Sequence, residues 1–364
     1  MAPDAWLWRR AAGAAVLVAV GAVAFLGACS ADRGAGAVTD ADTDTVTPAD
    51  TAEEADTAAV VDTSGGEEVD TAALADDTDG GEVGADAVDP DGPYTRCETV
   101  TSIDWLDVSE ASGAAVLADG RLVLVGDSGN AGAGLVVDLA LGTSTPITFP
   151  LGDLAGDDLE GLALAPDGAL VGVTSAGFLR EWRLDPATLA LTVARDAYPV
   201  AASDDPAFVC APTGVNCAKN YEGLCLHPAP ADGACAGFLA SKTDGLLYCL
   251  RATEAGYRVD TAVAIDVAGA LSSGDPEAGV LSGCDFAPAP PYRLVAAGNV
   301  YASSALWEVT GYDAPATAVV TRLPVDGVAN QEAVAFLADG RLASFGDLQG
   351  FDPRSPWMSF TCAP

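Results

Sequence analysis

A short phrase that occurs five times from residue 112 onward constrains the fold of this chain more than any other feature. In each copy a Ser or Glu, followed by Gly or Ala, opens an apolar run, and successive copies are 48 to 62 residues apart. The copies begin at Ser112, Glu160, Glu222, Ser282 and Glu332. Short strands that repeat with such a period are typical of radial all-β architectures, so the sequence predicts a β-propeller.

Each repeat is expected to form one blade of four strands. In three copies the first apolar run leads to an Asp-Gly pair, which favours a hairpin turn because both residues tolerate positive φ. These pairs are Asp119-Gly120, Asp167-Gly168 and Asp339-Gly340. In the first unit the predicted strands span residues 112–117, 121–126, 134–139 and 145–149.

The fifth unit contains three predicted strands, and a spare predicted strand, 97–105, precedes the first unit. In propellers a strand from one terminus commonly completes the blade made by the other, which removes exposed sheet edges. We therefore predict five blades closed by the N-terminal strand, with a Cys97–Cys362 disulfide between neighbouring strands. Six blades are an alternative if long insertions such as 194–221 contain a degenerate blade, and two β-sandwiches are another.

The N-terminus has the pattern of an export signal, predicted to span residues 1–28. Arg9 and Arg10 precede an uncharged stretch, 11–28, that ends in small residues. The segment Leu26-Gly27-Ala28-Cys29 resembles the lipobox of bacterial lipoproteins, which implies cleavage before Cys29 and acylation of its thiol. In that group an Asp after the lipidated Cys retains the protein in the inner membrane, so Ser30 implies the outer membrane. An uncleaved membrane anchor is the alternative.

Residues 29–92 are predicted to form a disordered acidic tether between the lipid and the folded part. Residues 31–92 include 19 acidic residues, one Arg and no aromatic residue, and such a composition cannot bury enough apolar surface to fold. The propeller domain is therefore predicted to span 93–364. It has 33 acidic and 13 basic residues, which argues against nucleic acid as a partner because nucleic acid needs a basic face.

Eight cysteines are left once Cys29 is assigned to lipid, and an even number predicts disulfides in an exported protein. Besides Cys97–Cys362, the sequence predicts a Cys210–Cys217 disulfide within a loop that contains Pro and Gly. Zinc is disfavoured because the chain has no Cys-x-x-Cys pair and a single His. The pairing of the remaining four is left open: Cys225, Cys235, Cys249 and Cys284.

One face of the predicted disc collects oxygen-bearing side chains. The first strand of a blade lines the channel and the second is antiparallel to it, so the start of the first strand and the end of the second lie on the same face. Near the axis this face has Ser112, Glu160, Glu222, Ser282 and Glu332. Around them we expect Glu110, Asp127, Asn130, Ser175, Lys242, Asp244, Asn299 and Asp347.

These converging carboxylates predict a cation. Carboxylates that share a site repel one another, and a Ca²⁺ ion, which accepts about six to eight oxygen ligands, relieves that repulsion. The five residues near the axis are the predicted ligands. The alternative is that the Glu side chains cap strand ends or bind water in a wide, wet channel.

Two short motifs carry a family resemblance. Glu110-Ala111-Ser112-Gly113 and Gly126-Asp127-Ser128-Gly129 resemble the opening of exported bacterial β-propellers of the phytase-like and SdiA-regulated group, and the repeated Glu-Gly strand starts do so too. The resemblance covers most of residues 97–362. It implies a secreted propeller that binds Ca²⁺ in some members and has esterase or phosphoesterase activity in others. The domain lacks the run of Lys and Arg on a phytase active face, so phytate hydrolysis is not expected.

Two functions are consistent with this sequence. The first is a lipid-anchored propeller that binds a small molecule or a protein through its polar face. The second is a Ca²⁺-assisted esterase or phosphoesterase in which Glu160, Glu222 or Glu332 activates water. The binding function is favoured, because there is no Gly-x-Ser-x-Gly motif and His227, before Pro228, is predicted to have a surface or turn role.

Overall fold

The computed structural model describes residues 92–152, 154–270, 279–300, 303–348 and 352–364. Every strand in this part of the chain belongs to one of five antiparallel sheets, each with four strands. The predicted signal peptide 1–28, the predicted lipidation site Cys29 and tether residues 30–91 lie outside the described residues. Within the described ranges, no helix is long and apolar enough to cross a membrane.

Strand β1 (Arg96–Leu106) belongs to the last blade, and the strands that follow form blades 1 to 5 in chain order. Blade 1 has β2 (Ala111–Val116), β3 (Leu122–Gly126), β4 (Ala133–Asp138) and β5 (Thr143–Thr148). Blade 2 has β6 (Leu159–Leu164), β7 (Leu170–Thr174), β8 (Phe178–Leu184) and β9 (Leu191–Pro199). Blade 3 has β10 (Tyr221–Leu226), β11 (Gly237–Ser241), β12 (Leu246–Thr253) and β13 (Gly256–Asp266).

Blade 4 has β14 (Leu281–Phe286), β15 (Leu294–Val300), β16 (Ser303–Thr310) and β17 (Val319–Arg322). Blade 5 has β18 (Gln331–Phe336), β19 (Leu342–Gly346), β20 (Ser355–Ala363) and β1. Two short helical segments lie between strands: the helix α1 (Val267–Ala270) after β13, and a 3₁₀ helix (Pro315–Thr317) before β17.

Blade 5 is closed by the N-terminal strand, as the sequence predicts. Strand β1 pairs with β20, and Cys97 lies opposite Cys362. A disulfide joins these two residues. The first strands of the five blades contact one another in a ring, in which β18 returns to β2. The prediction of a five-bladed propeller is confirmed, and the alternatives of six blades and of two sandwiches are wrong.

The first strands approach one another so closely that the second position of the repeated phrase requires a small residue. A Cβ atom added at Gly161 would lie 2.5 Å from the backbone nitrogen of Leu224, and one at Gly223 would lie 2.6 Å from the Cα of Gly283. A Cβ at Gly283 would have more room, with its nearest neighbour in Ala333 at 3.4 Å. Gly is therefore a packing requirement at residues 161 and 223, whereas blade 5 accommodates Ala333 at the equivalent position.

Three further disulfides connect the cysteines of blades 2 to 4. One closes the loop after blade 2, one joins the first strands of blades 3 and 4, and one lies within blade 3. They are Cys210–Cys217, Cys225–Cys284 and Cys235–Cys249. All eight cysteines of the described residues are thus paired.

The predicted strands differ most from the structure in blade 2. Strand β9 continues to Pro199, whereas the sequence predicted an inserted loop from residue 194. Its pairing with β8 is interrupted on both sides of Glu181. Because bulges break the alternation of inward and outward side chains, this part of the strand has no period-2 pattern in the sequence.

Candidate functional site

The first strand of every blade has a β-bulge at the same position, and the bulged residue opens the repeated phrase. In blade 1, Ala111 pairs with Gly126 and Gly113 pairs with Val125, which leaves Ser112 as the extra residue. The same break recurs in the other four blades. We call the five bulged residues the inner ring: Ser112, Glu160, Glu222, Ser282 and Glu332. Their exposed fractions are between 0 and 8%.

A second set of equivalent positions surrounds the inner ring. In each blade, one residue of the second strand is the last to pair with the first strand. The residue immediately after it in the chain belongs to this set. We call this set the outer ring: Asp127, Ser175, Lys242, Asn299 and Asp347. The repeated register therefore brings both rings to one end of the axis, which we call the acidic end.

Three carboxylates of the acidic end form a compact group. Asp127, Asp158 and Glu160 each offer an oxygen, and these oxygens lie within 4.8 Å of one another. Asp158 is 2% exposed. One of its oxygens accepts a hydrogen bond from the Ser175 hydroxyl, whereas Oδ1 has no hydrogen-bond partner among the described residues. A buried carboxylate oxygen without a donor is costly, so this group fits a cation.

The loop that carries Asp158 is fixed from two sides. The buried Arg180 guanidinium donates to the carbonyl oxygens of Ala155 and Gly156, at 2.5 and 2.8 Å. The neighbouring Asp157 accepts hydrogen bonds from Gly129 N and Ala131 N in the turn after Asp127, at 3.2 and 3.3 Å. These contacts hold the carboxylates of blades 1 and 2 together.

On the other side of the inner ring, an ammonium group lies between two carboxylates. Lys242 Nζ is 3.0 Å from Glu222 Oε2 and 3.8 Å from Glu332 Oε2. Ser282 occupies the inner-ring position between these two Glu residues, and its small side chain leaves room for the lysine. The hydroxyl of Ser282 is buried and has no hydrogen-bond partner in the described part of the chain. Lys242 thus forms ion pairs with two of the inner-ring carboxylates, and Glu160 has no ion pair within 4.0 Å among the described residues.

The pKa values follow from this arrangement. Burial, followed by repulsion from Glu222 and Asp127, raises the pKa of Glu160 well above its usual value. Burial also raises the pKa of Glu222 to about 7 and that of Glu332 to about 8, although Lys242 acts in the opposite direction on both. Glu222 and Glu332 therefore take up protons near neutral pH when no metal compensates them.

The pKa values of Asp127 and Asp158 are shifted in the same direction. Burial raises the pKa of both carboxyl groups, and hydrogen bonds donated by Ser128 N and the Ser175 side chain oppose it. Burial lowers the pKa of Lys242, but attraction by Glu332 and Glu222 outweighs it and the pKa is raised. The lysine is therefore a fixed positive charge and not a nucleophilic amine.

The other residues predicted for this face bind neighbouring protein groups. Glu110 Oε2 accepts a hydrogen bond from Asn130 Nδ2 at 2.7 Å. Asn299 donates to the carbonyl oxygen of Gln331, and the Asp347 carbonyl oxygen accepts from Asn330 at 2.8 Å. The Asn299 contact links blades 4 and 5, whereas the other two contacts lie within blade 1 and within blade 5.

Asp244 does not join the carboxylates of the rings. Its Oδ2 accepts from Lys219 Nζ and from the Tyr248 hydroxyl, both at 2.8 Å. The Lys219 ammonium also lies over the rings of Phe208 and Tyr248. This group is a separate cluster beside the disulfide loop.

The channel below the inner ring is nearly closed. The cavity between the five first strands has a volume of about 10 Å³, which is about the minimum for one water molecule. The wide, wet channel considered from the sequence is therefore wrong. A ligand of the acidic end has to bind at its mouth.

Two features of the site were missed from the sequence. Asp158 is absent from the predicted set, although Asp157-Asp158 directly precedes the first strand of blade 2 and this position was a possible signal. His227 was predicted to have a surface or turn role, whereas it is buried, with 9% exposed. It lies at the other end of the disc, because it follows the end of β10.

At the opposite end of the axis, Asp285 is the one carboxyl group among the described residues that line the cavity there. Asp285 Oδ2 accepts a hydrogen bond from Phe336 N at 2.7 Å, and burial raises its pKa to about 7. A cavity of about 220 Å³ lies here, lined by Asp285 and by apolar residues at the ends of the first strands.

Comparisons with known proteins identify no family for this chain. No protein-family model matches it, and no curated protein matches it. Among solved structures, it is similar to the PQQ-bound aldose sugar dehydrogenase of Streptomyces coelicolor, with 14% identity over 73% of this chain and 98% of that chain and a TM-score of 0.43. It is also similar to a calcium-binding protein, regucalcin of Agrobacterium tumefaciens, with 15% identity, 69% and 90% coverage and a TM-score of 0.38.

A streptogramin B lyase is similar at 11% identity over 70% of this chain, with a TM-score of 0.35, and the chain spans 65% of the length of that lyase. These neighbours are β-propeller proteins. The five sheets establish the fold of this chain directly, and the similarities assign neither a ligand nor a reaction to it.

Proposed function

We propose that this chain is a cation-dependent binding propeller, in which Asp127, Asp158 and Glu160 hold one Ca²⁺ ion at the acidic end and a small molecule or protein docks on the surrounding face. The observation that carries the proposal is Asp158 Oδ1, a buried oxygen without a donor inside a group of three carboxylates. Of the five inner-ring residues predicted as ligands from the sequence, this proposal keeps Glu160 alone and adds Asp127 and Asp158.

The donor set favours a hard cation. Carboxylate oxygens are ligands that Ca²⁺ prefers, with carbonyl oxygens and water completing its shell. Zinc and copper prefer imidazole or thiolate. His227 lies at the other end of the disc, and the cysteines of the described residues are in disulfides. In this proposal the positive charge of Lys242 compensates Glu222 and Glu332, and the positive charge of Ca²⁺ compensates Asp127, Asp158 and Glu160.

Calorimetric titration of Ca²⁺ tests the proposal. We expect one ion per chain, and an excess of about 100 times Kd stabilises the fold by about 2.7 kcal/mol. For a domain of this size that is a rise in Tm of roughly 5–10 °C. Asp158→Asn and Glu160→Gln each abolish the binding. Glu332→Gln is the matched control, because it occupies an equivalent bulge but is paired with Lys242, and it retains the binding.

The opposite pattern contradicts the proposal. If Glu332→Gln removed Ca²⁺ binding as completely as Glu160→Gln, the ion would occupy the whole inner ring. If Ca²⁺ at millimolar concentration changed neither heat nor Tm, the acidic end would not be a calcium site.

A second candidate function is a Ca²⁺-assisted esterase or phosphoesterase. It is favoured by the pKa of Glu222, which burial raises to about 7, a value suited to a general base near neutral pH. We expect p-nitrophenyl acetate or p-nitrophenyl phosphate to be hydrolysed only with Ca²⁺, and Glu222→Gln to lower kcat by about 100-fold or more. Equal rates for wild type and Glu222→Gln would exclude this role.

The location of the protein is part of the same proposal. A signal peptide, 1–28, directs export, lipid is attached at Cys29, and the acidic tether holds the propeller at the outer membrane. The sequence of residues 26–29 supports it. Metabolic labelling with palmitate is expected to mark wild type and not Cys29→Ser, and membrane fractionation is expected to release the variant. Labelling of the variant would contradict lipid attachment at this residue.

A further inference from the structure

We infer a second binding site, independent of the proposed calcium site: a pocket between blades 3 and 4, on the face of the opposite end, that binds a neutral hexose through Tyr312 and Asp313. The pocket has a volume of about 360 Å³, within the usual range of small-molecule sites of about 300–1,000 Å³. Its walls are the loop after β10, which includes His227, and the loop after β16.

Hydrogen bonds fix the protonation of His227 and the direction of the Tyr312 hydroxyl. His227 Nδ1 accepts a hydrogen bond from Ala229 N at 3.0 Å, so this nitrogen carries no proton. Burial lowers the pKa of the imidazole, so the ring is neutral and its proton is on Nε2. Nε2 is 3.3 Å from the Tyr312 hydroxyl oxygen and donates to it. The hydroxyl proton of Tyr312 must therefore point elsewhere.

Aromatic packing keeps these two side chains in place. The centroid of the His227 ring is 4.9 Å from that of Phe286, 4.9 Å from that of Tyr292 and 5.7 Å from that of Tyr312. Phe286 also packs edge-on against Tyr312, with centroids 5.0 Å apart. The hydroxyl of Tyr312 makes no other hydrogen bond among the described residues, so its donor is available to a ligand.

The two polar groups at the pocket select the charge of the ligand. Tyr312 offers a donor, and the exposed carboxylate of Asp313 offers an acceptor. A protonated amine has donors only and would leave the Tyr312 proton unpaired. A carboxylate or phosphate would accept from Tyr312 but face the charge of Asp313. A neutral hydroxyl both accepts and donates, so adjacent hydroxyls on one ring satisfy both groups.

The remaining lining matches a sugar ring. Ala231, Ala234 and Pro230 contribute apolar surface to the pocket, which suits the C–H groups of a pyranose. Few precisely placed polar groups on an apolar wall are typical of small-molecule sites. The structure thus assigns the pocket to a neutral hexose.

Three probes with the same carbon skeleton test the charge argument: D-glucose, D-glucosamine and D-gluconate. Saturation-transfer NMR with the intact protein is expected to show saturable binding of glucose, with glucosamine and gluconate each at least about tenfold weaker. Absence of saturable glucose binding overturns the inference. Tighter binding of glucosamine overturns it too, because the site would then select a cation through Asp313.

Single-group variants locate the site. Tyr312→Phe removes only the hydroxyl and is expected to weaken glucose binding about tenfold. Tyr292→Phe is the matched control, since this ring also packs on His227 but does not line the pocket, and it leaves binding unchanged. His227→Gln tests the hydrogen bond that His227 donates to Tyr312, because a Gln side chain also has a donor and an acceptor. Thermal melting verifies that each variant is folded. Equal affinities for wild type and Tyr312→Phe in folded protein would contradict the assignment, and neither result depends on Ca²⁺.

Discussion

The two ends of the propeller axis are built from the same five strands but deal with buried charge differently. At the opposite end, the cavity has one carboxyl group, that of Asp285. A hydrogen bond from a backbone N–H and the raised pKa of this carboxyl group are sufficient to accommodate it. At the acidic end, several carboxylates converge, and the Lys242 ammonium forms ion pairs with two of them. A single buried acid can become neutral by taking up a proton, whereas a group of acids calls for a cation.

The difference arises from position within the repeat. The bulge places one residue per blade at the acidic end, so five-fold repetition collects five side chains there. Asp285 occurs at a position that is Ala115 in blade 1 and Ala163 in blade 2. Repetition therefore concentrates charge at one end and leaves the other largely apolar.

Both ends depend on the close approach of the inner strands, and the largest expected effect comes from disrupting it. Gly161→Ala forces a Cβ to within 2.5 Å of the Leu224 backbone nitrogen, and we expect a loss of about 3 kcal/mol or more in the free energy of unfolding. Gly283→Ala is the control, with 3.4 Å available and a loss below about 1 kcal/mol. Urea unfolding measures both. Equal losses would show that the inner strands are not packed as described.

Removal of the lysine should make the acidic end still less like the opposite end. Lys242→Met leaves Glu222 and Glu332 without their positive partner, which we expect to cost about 2 kcal/mol at pH 8. At pH 5 the loss should be small because both acids are protonated. Calorimetry should then find a second Ca²⁺ ion in the space vacated by the ammonium.

The control for this variant is the only other lysine of the chain. Lys219→Met removes a positive charge that is paired with Asp244 outside the rings. It should leave the calcium stoichiometry at one. A stoichiometry of one in Lys242→Met as well would mean that the lysine does not occupy a cation position.

The dependence of stability on pH separates the two ends. A carboxyl whose folded pKa is raised holds more protons in the folded state than in the unfolded state, so stability decreases as pH rises from the unfolded value of 4.5 through about 7 for Glu222 and about 8 for Glu332. Without metal we expect a slope on the order of 1 kcal/mol per pH unit over this range.

Calcium should remove the part of this slope that comes from Asp127, Asp158 and Glu160, whose pKa values are also raised, because the bound ion keeps these three carboxylates ionised. The part from Asp285 should remain and should disappear in Asp285→Asn. Urea unfolding at several pH values, with chelator and with Ca²⁺, measures the two contributions. A slope that Ca²⁺ does not change would contradict the difference between the ends.

The sequence predicted the architecture well because the decisive information is local. The repeated phrase, the Asp-Gly turns and the unpaired first strand are patterns within short windows, and together they specified five blades and their closure. The structure adds the physical reasons: Gly120, Gly168 and Gly340 have positive φ in these turns, and Gly161 and Gly223 have no room for a Cβ.

The site was predicted less completely because its contacts join residues of different blades. The inner-ring residues follow from the repeat, but the contact of Lys242 with Glu332 crosses from blade 3 to blade 5, and no local pattern indicates it. Asp158 belongs to a loop whose position depends on Arg180. Similarly, the role of His227 depends on Phe286 and Tyr312 of blade 4, so its isolated position in the sequence indicated only a turn.

The central claim is that one cation binds between Asp127, Asp158 and Glu160. A crystal structure of the protein grown with Ca²⁺, with an anomalous difference map recorded at long wavelength, tests it most directly. We predict one peak in contact with these three carboxylates and none between Glu222 and Glu332. A peak on the axis shared by all three inner-ring Glu residues, or no peak at the acidic end, would contradict the claim.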